Sequence, residues 1–195
     1  VLMIPIFEQG KGKGKGIGHS INSFLKRFTD ICQKAKAENR RKTFAFILYN
    51  FEDSAIEKLL KDEGVFTKLD RLTGNSLDVF YLHSNDDASI KGFNEIILHS
   101  FNFKEYVEVP CVIFFDVFDL EVEDANVVEI EQDNILLGFN EIAIILQKQI
   151  NSENDFYNNK SIKSKGLKIL YKISDKVATG LVVSKIKDLL SNLNS

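Results

Sequence analysis

The sequence predicts a mixed α/β domain, a sheet flanked by helices. Three observations carry this: apolar strand-like runs alternate with segments of helical period, one of those runs is apolar almost throughout as a strand buried on both faces is, and turn residues separate the elements. The length, 195 residues, suits a single core. Apolar residues at 44% and charged ones at 27% place the chain among folded globular proteins rather than disordered ones. With 16 Phe and no Trp, the core must be built from rings that carry no polar atom.

Val1 to Phe7 is an apolar run in which Pro5 points to an edge strand, since proline cannot donate a ladder hydrogen bond. It is too short for a secretory core, and no positive segment precedes it. The stretch Gly10 to Gly18 alternates glycine and lysine, and Ser20 then fits the N-cap of a helix carrying Ile21, Phe24, Leu25, Phe28, Ile31 and Cys32 on one stripe. That helix runs towards Asn39, and the basic run Arg40, Arg41, Lys42 is expected to close it by complementing its dipole. Thr43 to Phe51 reads as a strand buried on both faces. Asp53 or Ser54 can cap a second helix through Ile56, Leu59 and Leu60, ending at Gly64.

Past a turn at Gly74 and Asn75, Leu77 to His83 is another strand, and Asp86 and Asp87 open a helix through Ile90, Phe93, Ile97 and Leu98. Val109 and Pro110 interrupt the pattern, because the residue before proline is driven to extended geometry. Cys111 to Phe118 and Asn126 to Glu131 then form an expected antiparallel hairpin, with the acidic stretch between them as a solvated turn. Ile135 to Ile150 is an apolar helix. Residues 152 to 165 are polar and read as a linker or exposed loop. The last thirty residues read as helical, with Val182, Ile186, Leu189 and Leu193 as an apolar seam suited to lying on the domain. The division expected is thus 1–151 for the α/β domain and 152–195 for a polar linker and C-terminal helical extension. Gly-Phe-Asn-Glu-Ile occurs at both Gly92 and Gly138, a coincidence rather than a repeat.

A net charge of −3 with both signs spread along the chain gives no field to attract nucleic acid or acidic lipid. Two widely separated cysteines, Cys32 and Cys111, suit a reducing compartment, so a cytoplasmic protein is expected. No apolar run approaches the roughly 20 residues needed to cross a bilayer. The histidines His19, His83 and His99 are scattered, so neither a metal site nor a cofactor is expected. His83 with Ser84, Asp86 and Asp87 reads as a helix cap sooner than a hydrolytic pair. The acids Asp116, Asp119, Glu121, Glu123 and Asp124 lack the glycine and spacing of a calcium loop.

The Gly/Lys segment is the candidate anion site, because converging backbone N–H groups, a helix N-terminus and lysines all favour negative charge. Its candidate residues are Gly14, Lys15, Gly16, Gly18, His19 and Ser20. Against the phosphate-loop pattern ending at Gly18, His19 and Ser20, Lys13 replaces the first glycine and His19 stands where the lysine belongs. Asp116, after the run Val112 to Phe115, could mimic a Mg²⁺-binding aspartate. The two departures favour a solvated loop first, anion or nucleotide contact second and polynucleotide contact third.

The buried strand Phe44 to Phe51 leading into a helix, the hairpin introduced by Val109 and Pro110, and a closing helix resemble the thioredoxin-like superfamily over roughly Leu2 to Ile150. The resemblance implies a thioredoxin-like mixed sheet flanked by helices, with Pro110 as the proline, commonly cis, that faces the redox motif. Where that motif places Cys-x-x-Cys, this chain has Glu52, Asp53, Ser54 and Ala55. Without a thiol at a helix N-terminus, no catalytic residue and no redox activity are expected. Cys111 is expected to be an inert core residue. The expected function is therefore binding of another protein, or self-association, through the C-terminal helices. A domain without its own chemical centre would suit an accessory or sensor component of a microbial multi-protein system, such as a defence module. A nucleotide- or phosphate-binding protein using the Gly/Lys loop is the alternative.

Overall fold

The structure is a computed structural model, and it describes residues 2–5, 21–50, 77–83, 87–105, 107–130, 167–172 and 181–191. In chain order these form β1 (Leu2–Pro5), α1 (Ile21–Ala37), β2 (Lys42–Leu48), β3 (Leu77–His83), α2 (Asp87–Ser100), β4 (Cys111–Phe118), β5 (Glu121–Ile130), β6 (Leu167–Lys172) and α3 (Val183–Ser191). The strands make one mixed six-stranded sheet in the order β1-β3-β2-β4-β5-β6. Among the described strands, only β2 and β3 pair in parallel; the other neighbouring pairs are antiparallel. The sequence expectation of helices at 53–64 and 135–150, and of a polar linker at 152–165, falls outside the described residues.

The sheet has a base, where β2 and β3 start, and a rim, where they finish. Central β2 is buried on both faces: Phe44, Phe46 and Leu48 on one, Ala45 and Ile47 on the other. Such a strand cannot alternate polar and apolar residues, which is why its sequence is nearly all apolar. On the first face the Phe28 ring of α1 meets Phe44 at 4.9 Å and Phe46 at 5.8 Å, while Phe115 of β4 stands 4.9 Å from Phe46. Phe101, just past α2, reaches the same Phe115 at 4.9 Å. Edge-on pairs of this kind add about 0.5–1.5 kcal/mol each beyond area burial.

Helix α1 buries Leu25, Phe28, Cys32 and Ala35, continuing the stripe its period predicts. Its end is not made by Arg40, Arg41 and Lys42. Lys42 already opens β2, and the cap is Asn39 in the left-handed region (φ 48°), with Asn39 N–H donating to the Lys36 carbonyl and Arg40 N–H to the Ala35 carbonyl. These paired bonds form the Schellman arrangement that satisfies the last helical carbonyls. Helix α2 ends in the same way, with Asn102 at φ 57° and Phe103 N–H donating to the Leu98 carbonyl at 2.7 Å. Here the residue after the cap, Phe103, is fully buried and pins the exit to the core.

The hairpin is tighter than its sequence suggests. Strand β5 begins at Glu121, so most of the acidic stretch lies within the strand and only Asp119 and Leu120 turn, both with positive φ (49° and 68°). A two-residue turn of this type matches the right-handed twist of its strands. The Val109–Pro110 peptide that precedes β4 is cis.

At the C-terminal end, Leu167–Lys172 is a strand on β5 rather than helix. The chain then returns to the hairpin: Val122 N–H donates to the Leu181 carbonyl at 2.8 Å and Val183 N–H to the Leu120 carbonyl at 3.0 Å. From there α3 packs against α1 and α2, burying Val183, Ile186 and Leu190. The buried face is thus rotated from the expected Val182, Ile186, Leu189 seam. Val182 is taken by a bridge to Glu121, and Leu189 is half-buried. Leu193 lies outside the described residues. No helix among the described residues is long and apolar enough to cross a membrane.

The left-handed caps give a first test. Asn39→Ala and Asn102→Ala should each lower stability by about 1–2 kcal/mol, because a Cβ without a polar branch is disfavoured there, while glycine at either position should be neutral or stabilising. Urea unfolding midpoints measure both, and equal stability of the alanine and glycine variants would contradict the cap assignment.

Candidate functional site

At the rim, β2 gives way to Tyr49 and Asn50. Buried Asn94 of α2 donates its side-chain amide to the Tyr49 carbonyl at 2.8 Å, so the strand's exit is fixed from the helix side. Antiparallel pairing sets Leu48 against Cys111, which brings Pro110 to the same exit. Ile130 N–H donates to the Pro110 carbonyl at 2.8 Å, and Glu129 accepts from Glu108 N–H at 2.8 Å. The approach to β4 is therefore held at both Glu108 and Pro110. Of the residues singled out in sequence, the structure thus brings Pro110 and Cys111 together with the end of β2; Glu52, Asp53, Ser54 and Ala55 lie outside the described residues.

Chemistry at this rim is restrained by burial. The Cys111 thiol has no exposed surface, and desolvation, with Glu129 adding to it, pushes its pKa well above the ordinary thiol range. A thiol that keeps its proton is a poor nucleophile.

The Gly/Lys residues Gly14, Lys15, Gly16, Gly18, His19 and Ser20 also lie outside the described residues. Their flanks do not: β1 precedes them, and α1 is described from Ile21 onwards. Because Lys36 reaches Asp119 at the base and Phe28 lies over mid-sheet, the first turn of α1 points towards the rim. His83 ends β3, and His99 is exposed in the last turn of α2. Among the described residues no cluster of three His, Cys, Asp or Glu side chains could hold a metal ion.

The base holds what sequence reasoning missed. Lys42 and Asp78, at the starts of β2 and β3, form an ion pair at 3.2 Å with both side chains buried under α1. Burial pushes the Asp78 carboxyl above the usual carboxylate range, against the pull of Lys42 and, more weakly, of Arg27 and Arg40. Beside them the Cys32 thiol is pushed up to about 12, first by burial and then by Asp78, with Lys42 opposing. One signal was legible: Asp78 stands two residues before Phe80, so strand alternation sends its carboxylate to the side of the aromatic core.

The acidic hairpin, expected to be a solvated turn, keeps Asp119 exposed but is also paired to the end of α1 and to Arg41. Arg41 bridges Asp116 at 3.2 Å and Glu123 at 2.7 Å, and Lys36 reaches Asp119 at 2.7 Å. Asp116, which by sequence could mimic a Mg²⁺-binding aspartate, pairs with Arg41 at the base of the sheet. Comparison of the chain with protein-family models, curated proteins and solved structures finds no match.

Two predictions arise here. Lys42→Met should destabilise by about 3–5 kcal/mol by leaving Asp78 buried and unpaired, whereas Lys42→Met with Asp78→Leu should recover most of the loss; a double variant no better than the single one would show that the pair is worth keeping for its own attraction.

The second prediction concerns alkali. The Cys32 thiol titrates higher in the folded chain than in the unfolded one, so its contribution to stability is complete below roughly pH 8.5, the ordinary thiol value, and is lost as pH rises towards 12. Stability should therefore fall across that window, and less steeply in Cys32→Ala. Denaturant midpoints at pH 8 and 10.5 measure the difference.

Proposed function

We propose that this chain is a non-catalytic, thioredoxin-like domain that works by binding another protein, as an accessory or sensor component of a larger assembly. The observation that carries the reading is the thiol-poor rim. The end of β2 and Pro110 lie side by side, as in a redox site of that superfamily, yet the nearby Cys111 is buried with its pKa raised, and the sequence supplies Glu52 to Ala55 in place of two cysteines. A frame of that kind without its nucleophile retains shape and surface as its means of action.

The C-terminal helix contributes to that surface by its polar side. Val183, Ile186 and Leu190 are used within the chain's own core, which leaves Ser184, Lys185, Lys187 and Asp188 outward. A partner would meet α3 through charge and hydrogen bonding rather than through an apolar seam. Affinity capture with the full chain should yield a specific partner, and Lys185→Glu with Lys187→Glu should weaken capture without moving the melting temperature. The same protein should leave a disulfide substrate such as insulin unreduced, with neither buried thiol titrating at pH 8 until the chain is unfolded. Catalytic disulfide reduction, or a monomer that captures nothing, would overturn the reading.

A second reading rests on the placement of the Gly/Lys segment between a strand and a helix that starts one residue beyond Ser20. On this reading the segment binds phosphate or a nucleotide. A ligand at about a hundred times its dissociation constant should add about 2.7 kcal/mol of stability. Thermal shift with inorganic phosphate and a nucleotide panel tests it, with Lys11, Lys13 and Lys15 replaced together by alanine as the control; no shift in the parent protein rejects it.

A further inference from the structure

We draw no further inference here: the strongest candidate, the buried side-chain cluster of Cys32 on α1 with Lys42 and Asp78 at the starts of β2 and β3, is the ion pair already described with its neighbouring thiol, and nothing in the structure shows a ligand or partner that it would take.

Discussion

The rest of the fold depends on burying β2 from both sides. Its two phenylalanines need aromatic partners on one face, and these come from α1 (Phe28), β3 (Phe80) and β4 (Phe115). Rings without polar atoms can be enclosed completely, since no hydrogen bond is lost on leaving water. That freedom has a geometric cost. Flat, rigid side chains fill space only when helix and strands hold fixed relative positions, so each helix must end and re-enter the sheet at a defined point. The Schellman caps at Asn39 and Asn102 fix those points at α1 and α2.

Charge is organised around the same core. Lys42 precedes Phe44 by two residues and Asp78 precedes Phe80 by two, so neither side chain can leave the core side for solvent without breaking the alternation that buries the rings. Pairing them with each other resolves the conflict. Ion pairs buried in this way add little net stability over an apolar substitute, but they penalise misalignment heavily, because a shifted strand would leave a lone charge in the interior. The pair thereby reinforces the parallel register of β2 on β3, and the paired acids of the hairpin brace the neighbouring strands from outside, each exposed bridge contributing about 0–1 kcal/mol.

Strands at Leu77–His83 and Cys111–Phe118 and the two long helices were legible because their patterns are local: an unbroken apolar run, or a stripe at helical spacing. The mixed sheet flanked by helices followed from their order. What escaped depends on partners distant in sequence. Leu167–Lys172 is too short for its period to separate strand from helix, and it becomes a strand by pairing with β5. The face of α3 is set by where Val182 bridges Glu121, a contact no spacing encodes. Lys42 reads as a helix-closing cation because its partner lies 36 positions away at Asp78, and the pairing of the acidic hairpin is not legible because Lys36 and Arg41 are distant in sequence. Of the candidate site, sequence indicated Pro110 and an inert Cys111 but not Asn94, whose place in an apolar helix gave no sign that it would reach the end of β2.

Asn94 is the buried polar side chain that ties α2 to the end of β2. The Tyr49 carbonyl that accepts its amide lies one residue past the strand. Opposite it, Glu129 and Ile130 restrain the approach to β4 through Glu108 and Pro110. Both sides of the described rim are thus held by hydrogen bonds as well as by packing, which on the proposed reading would present a fixed backbone to a partner. Preorganised surface of this sort lowers the ordering cost of association. The restraints at Asn94 and Glu129 require no thiol, which fits the binding role proposed above.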